Sequence, residues 1–172
     1  LETNVDAEHR KSEELDQVRI RPSDSGDIPI LKGIARASFR ASRFYFDPHF
    51  PPERCDALYE TWIERSCLGY ADAVLVAEHR GSTAAFITCH LGRNPGEIGL
   101  VGVSSEARGI GLGKLTVNAA LEWFVNHQVH QVSVVTQGRN IGAQRLYQRC
   151  GFVTSQVQLW YHWWPKKGVD LP

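Results

Sequence analysis

The chain has 172 residues, 42% of them hydrophobic and 22% charged, with nineteen basic residues against nineteen acidic ones. That length suits one domain with a core of its own, and the composition excludes a disordered or membrane-embedded class. Balanced charge without a basic run excludes the electrostatic footprint of a nucleic-acid binder.

No apolar stretch has the length of a spanning helix, and the first residues lack the basic-then-apolar order of a signal peptide, so a cytoplasmic protein is expected. Cys55, Cys67, Cys89 and Cys150 are widely separated and form no CxxC pair, which reads as reduced thiols. Residues 1–16 are charged and carry no apolar period, the pattern of a flexible arm. A single domain is then expected over 17–165, with a basic tail at 166–172.

Val18-Arg19-Ile20-Arg21 alternates as a strand, and Pro22 to Asp27 leads into a helix over Ile28–Phe39. Pro51-Pro52 opens a second helix with Cys55, Leu58, Tyr59, Trp62 and Ile63 on one face. Ala73–Glu78, Thr83–Leu91 and Ile98–Val103 are apolar runs separated by turn residues, an antiparallel meander. A long helix over Leu112–His127 follows, then a strand over Val132–Thr136. Ala143, Leu146, Tyr147 and Cys150 next line a helix ended by Gly151. Gln156–Trp163, rich in Val, Trp and Tyr, predicts a last strand. The order β-α-α-β-β-β-α-β-α-β predicts an α/β (α+β) fold, a mixed and mostly antiparallel sheet with helices on both faces.

The sharpest chemical signal is Arg108-Gly109-Ile110-Gly111-Leu112-Gly113-Lys114, between an apolar strand and a long helix. Glycines let the backbone approach an anion, and the first helical turn offers unpaired N–H groups at a positive dipole end. The run is neither a P-loop, which needs Gly at 108 and Ser or Thr at 115, nor GxGxxG. From the glycines alone, a phosphate cradle and a plain strand-to-helix turn stand about even.

Arg-x-x-Gly-x-Gly after an apolar strand resembles the acetyl-CoA pyrophosphate loop of the GNAT superfamily. Asn140 to Tyr147, followed by Gly151-Phe152, resembles that superfamily's next motif. The resemblance implies strands four and five that splay apart, with Val101, Gly102 and Val103 lining the pantetheine arm, and acetyl-CoA as co-substrate. It implies cofactor contacts from Arg108 to Lys114 and from Asn140, Ala143 and Tyr147. Tyr147 occupies the position of the general acid that protonates the departing thiolate. Without the resemblance, Tyr147 reads as a core aromatic. Glu97 and His90 are candidate bases, each also readable as an ordinary strand residue.

Phe39 to Phe50 carries Arg40, Ser42, Arg43, Phe44, Tyr45 and Asp47 between the first two helices. The Ser-Arg-Phe segment followed by Trp62-Ile63-Glu64 is similar to the TDP-fucosamine acetyltransferases of the superfamily, which act on the 4-amino group of a nucleotide-linked deoxysugar. That implies a small-molecule acceptor, with Arg40 and Arg43 on a diphosphate, Phe44 or Tyr45 stacked on a ring and Asp47 on hydroxyls. The same residues also read as loop packing and solvated charge. A protein N-terminus or another small amine is the alternative acceptor, and a non-catalytic acyl-CoA sensor is the alternative class. His127 and His130 lack the further ligands zinc requires, so no metal is expected. The aromatic run at 160–164 suggests a homodimer contact.

Overall fold

A computed structural model of the chain describes residues 17–92 and 95–165. The arm expected over 1–16 and the tail over 166–172 lie outside these residues. Strands β1 (Val18–Pro22), β2 (Ala73–His79), β3 (Ser82–His90), β4 (Gly96–Val103) and β5 (Val132–Val134) form one sheet in that order. The first three pairings are antiparallel and β4 pairs β5 in parallel. The helices are α1 (Ile28–Ser38), α2 (Arg43–Phe46), α3 (Pro52–Arg65), α4 (Leu112–Asn126) and α5 (Ile141–Arg149).

Why the middle strands read as unbroken apolar runs is clear from their faces. On β2, Val74 and Val76 pack with Leu31, Ile34 and Ala35 of α1 and Tyr59 and Ile63 of α3. Leu75 points the other way, into a cluster with Val117, Ala120 and Phe124 of α4, and Ala77 joins Ala85, Ala107 and Leu112. Side chains alternate across a strand, so a sheet covered on both faces needs apolar residues at every position.

β4 changes its parity partway. Ile98 belongs to the α4 face, whereas Leu100 belongs to the α1 and α3 face, so one extra residue lies between them. The pairing agrees: Ile87 faces Val101 but Cys89 faces Ile98. In this β-bulge the Leu100 N–H donates to the fully buried Thr88 Oγ1 at 2.8 Å. A bulge bends its strand and increases local twist. β5 pairs β4 only through Gly96, Glu97 and Ile98, and past that point the two strands part.

The strand predicted over Gln156–Trp163 does not form; the segment is exposed and joins no ladder. Strand propensity expresses itself only against a partner edge, and this segment is held by side chains instead. His162 Nδ1 lies 2.6 Å from Asp47 Oδ2, and Trp164 Nε1 donates to the same oxygen at 2.9 Å. The four cysteines are free, and among the described residues no helix is long and apolar enough to cross a membrane.

At the sheet's opposite edge, Arg21 bonds Asp27 through both terminal nitrogens, at 2.6 and 2.9 Å, and Glu78 through Nε at 2.8 Å. Thr83 Oγ1 also donates to Asp27, at 2.8 Å. The Arg21 hydrogen bonds hold the nearly buried Asp27 carboxyl down at about 2. This network pins the start of α1, and with it the loop that α1 feeds, to β1 and β2.

Candidate active site

The parting of β4 and β5 opens into a cavity of about 1180 Å³. Residues from several elements line it. Glu97 to Val101 and Val103 come from β4, Arg108, Gly109 and Gly111 to Leu115 from the turn into α4, and Asn140 to Leu146 in part, with Tyr147 and Arg149, from α5. Facing them are Ser38, Phe39, Ala41 to Phe44, Leu58, Tyr59 and Trp62.

The turn into α4 is shaped by its glycines. Gly109 and Gly111 have φ of +88° and +110°, the left-handed region that side-chain-bearing residues avoid. Gly111 caps α4 and has no side chain to satisfy the first turn. The N–H groups of Gly109 to Gly113 find no partner among the described residues, and Arg108 and Lys114, both exposed, flank them. Unpaired helix N-terminal donors with cations beside them make a surface suited to attract an anion. Gly113 serves packing instead, since a Cβ there would stand 3.2 Å from Leu146. Ile110 turns inward against the Ala77, Ala85 and Leu112 cluster.

Gly102 faces away from the cavity. A Cβ at this position would sit 2.4 Å from Phe86 Cε1 and 3.1 Å from Ile34 Cγ2, so its glycine makes room for the core beneath β4. Val101 and Val103 line the opening from the other face.

Asn140 caps α5, its side-chain oxygen accepting from the Ala143 N–H at 3.1 Å. This fixes the helix that carries Tyr147. The Tyr147 ring is only 9% exposed and meets Phe152 edge to face at 5.8 Å. Burial, aided by the charge of Cys150 when ionised, pushes its phenol up to about 12, so it stays protonated throughout the working pH range.

Glu97 lines the cavity and is exposed. His90 lies opposite it in the β3–β4 register but is not among the lining residues; its ring meets Tyr70 at 5.5 Å and covers Gly99. Of the acceptor candidates, Ser42, Arg43 and Phe44 line the cavity. Arg40 is drawn aside by Asp56, at 3.1 Å, and lies over the Tyr45 ring. Tyr45 donates to Asp56 at 2.6 Å, with burial and then that bond raising its pKa. Asp47 is occupied by His49, His162 and Trp164. Its burial acts upward on the pKa, but the hydrogen bonds converging on it carry the carboxyl well below the usual range.

Residues that sequence reading passed over include Ser38, which lines the cavity, and Thr88 at the bulge; Trp62 of the Trp62-Ile63-Glu64 segment lines the cavity beside Ser38. Trp62 stacks on Tyr59 at 6.4 Å, and Tyr59 on Phe39 at 4.5 Å. Burial raises the Tyr59 phenol pKa, an effect the neighbouring Ser42 hydroxyl partly offsets.

Comparison with known proteins agrees with this architecture. The spore coat polysaccharide biosynthesis protein SpsD of Bacillus subtilis (strain 168) is 27% identical over 146 residues, covering 85% of this chain and 50% of that protein. The dTDP-fucosamine acetyltransferase of Escherichia coli O6:H1 is 27% identical over 150 residues, covering 81% and 64% respectively. The chain therefore spans between half and two thirds of the length of these relatives. Among solved structures, AAC(6')-Iy in complex with the bisubstrate analog CoA-S-monomethyl-acetylneamine superposes with a TM-score of 0.64 at 16% identity, over 86% of this chain and 99% of that one, a likeness of fold. The model of the Acetyltransferase (GNAT) family matches residues 36–152, well over half of the chain and including both the glycine turn and Tyr147, and the chain belongs to that family.

Proposed function

We propose that this chain transfers the acetyl group of acetyl-CoA to a primary amine, the 4-amino group of a nucleotide-linked deoxysugar. One observation carries the reading: β4 and β5 part at Ile98 and Val134, and the opening joins an unpaired helix N-terminus to a buried, protonated tyrosine within one cavity. The sugar acceptor is supported by the likeness to dTDP-fucosamine acetyltransferase over 81% of the chain.

Acetyl-CoA supplies an activated acyl thioester, whose carbonyl carbon accepts the amine and whose sulfur departs. Toward it, the N–H groups of Gly109 to Gly113, with Arg108 and Lys114, hold pyrophosphate oxygens. The half-free edge of β4 past Ile98 offers backbone groups to an extended amide chain, as a neighbouring strand would. A backbone donor aimed at the carbonyl oxygen stabilises the charge that develops there, an effect worth roughly 3 kcal/mol in such sites. Tyr147 donates its phenolic proton toward the sulfur as the carbon–sulfur bond breaks. The amine must be neutral to attack, and Glu97, exposed at the cavity edge, takes its first proton directly or through water; the second, shed by the nitrogen as the amide forms, passes through water to the Tyr147 oxygen and restores the phenol.

The test is thiol release from acetyl-CoA by purified protein with a panel of TDP- and UDP-linked amino sugars, simple amines and amino-terminal peptides. Turnover with a nucleotide amino sugar alone is expected. Turnover confined to peptides or simple amines would overturn the acceptor class, and acetyl-CoA binding without turnover on any amine would make the chain a sensor.

A further inference from the structure

Among the described residues, five buried side-chain polar atoms lack a hydrogen-bond partner, and four of them belong to residues that line this one cavity: Ser38 Oγ, Ser42 Oγ, Arg43 Nε and Trp62 Nε1. Ser42 has the Tyr59 phenol within reach, which leaves Ser38 Oγ, Arg43 Nε and Trp62 Nε1 as the three atoms with no hydrogen-bond partner. Native structures leave few buried polar groups unpaired, so a concentration on one wall asks for something the wall is built to meet. Arg43 Nε and Trp62 Nε1 can only donate, and a serine hydroxyl can donate as well. What completes them must be rich in acceptors.

Charge narrows the choice. Neighbouring cations are paired, Arg40 with Asp56 at 3.1 Å and Arg36 with Glu60 at 3.7 Å. Arg43 has no carboxylate partner among the described residues. Its guanidinium is instead held between two rings, 4.5 Å from the Phe44 centroid and 4.8 Å from that of Trp160. Trp160 is itself set by the segment that His162 and Trp164 anchor on Asp47. A cation held over two aromatic faces and left without a counter-charge is pre-organised for an oxyanion.

Resting on the acetyl-transfer reading above, we infer that Arg43, Trp62 and Ser38 form a second anion subsite, which grips a phosphate or carboxylate carried by the acceptor molecule. It lies across the cavity from the donors of Gly109 to Gly113, so the protein holds one anion at each side and the transferred group passes between them. Arg40, tied to Asp56, takes no part.

The experiment is calorimetric titration of dTDP into protein saturated with CoA, so that the glycine turn is already filled. Saturable one-to-one binding is expected, with affinity reduced at least tenfold by Arg43→Ala and several-fold by Trp62→Phe, which keeps the ring on Tyr59 and removes only its N–H. CoA affinity should be unchanged in both. If Arg43→Ala does not fold, Arg43→Lys serves, since it keeps the charge but loses the planar fork. Inorganic pyrophosphate and succinate, titrated in the same way, identify phosphate or carboxylate as the group read. If none of the three probes binds the CoA complex, or if native and variant proteins bind alike, the subsite is overturned. Thiol release with an amine but no probe binding would sink the subsite alone. Arg43-dependent binding without turnover on any amine would sustain it and overturn the transfer reading.

Discussion

Replacing Tyr147 by phenylalanine removes one hydroxyl and leaves the ring against Phe152. The hydroxyl has no hydrogen-bond partner among the described residues, so folding stability should change by less than about 0.5 kcal/mol. The kinetic effect follows from the raised pKa. A phenol at about 12 facing a thiol of ordinary pKa near ~8.5 would complete its proton transfer uphill by about 3.5 units, or ~5 kcal/mol. The proton therefore stays nearer oxygen in the transition state, and Tyr147 acts mainly by hydrogen-bonding to the departing sulfur. That places the loss at the lower end of the general-acid range, roughly 10²-fold, or ~2.7 kcal/mol. Single-turnover thiol release with saturating acceptor measures it, with thermal melts run alongside. The pH profile gives a second reading. The native rate should rise as the amine loses its proton and show no fall from Tyr147 until the pH nears 12. A loss under about threefold would refute the role of Tyr147, and a native alkaline limb near ~10, absent from Tyr147→Phe, would refute its raised pKa.

Asp27, at about 2 when folded against an ordinary 3.8, contributes about 2 kcal/mol of stability that is complete above the ordinary value and lost as pH falls through the folded one. Asp27→Asn should accordingly lower the urea midpoint at pH 6 and converge on the native curve toward pH 2; a constant gap would show that the charge is not the cause. Gly102→Ala drives a methyl into Phe86 and should lower stability by about 1–3 kcal/mol. Phe86→Leu in the same chain should recover part of the loss in thermal melts, and a fall in acetyl-CoA affinity without any loss of stability would instead favour a role at the cofactor.

Most of the fold was legible because its signals are local. Two-faced burial of β2 and β3 makes apolar runs, and the glycines around Arg108 mark a strand turning into a helix. What escaped notice depends on pairing. Nothing in Val-Gln-Leu-Trp-Tyr tells a strand with a partner edge from an extended segment tethered by His162 and Trp164 to Asp47, since the tether spans more than a hundred residues. Arg40 and Arg43 look equivalent in sequence, and only the placement of Asp56 on α3 removes one from the cavity. Ser38 carried no motif, and Trp62 stood in a segment whose resemblance gave it no contact of its own. Their common wall exists because α1 and α3 pack side by side on the same face of the sheet.

The bulge ties these parts together. Ile98 and Leu100 point to opposite faces because one residue is inserted between them, and the fully buried Thr88 makes that insertion tolerable by accepting the Leu100 N–H. Gly99 is required beside it, since a Cβ there would stand 2.8 Å from both Thr88 Oγ1 and His90 Nε2. The residue at which β4 changes parity is also the residue past which β5 ceases to pair with it. A regular β4 would keep its hydrogen-bonding edge against β5 and close the opening. The irregular one leaves that edge free between the helix that carries the glycine turn and the helix that carries Tyr147, so the inserted residue that disturbs the ladder stands where the sheet opens into the cavity.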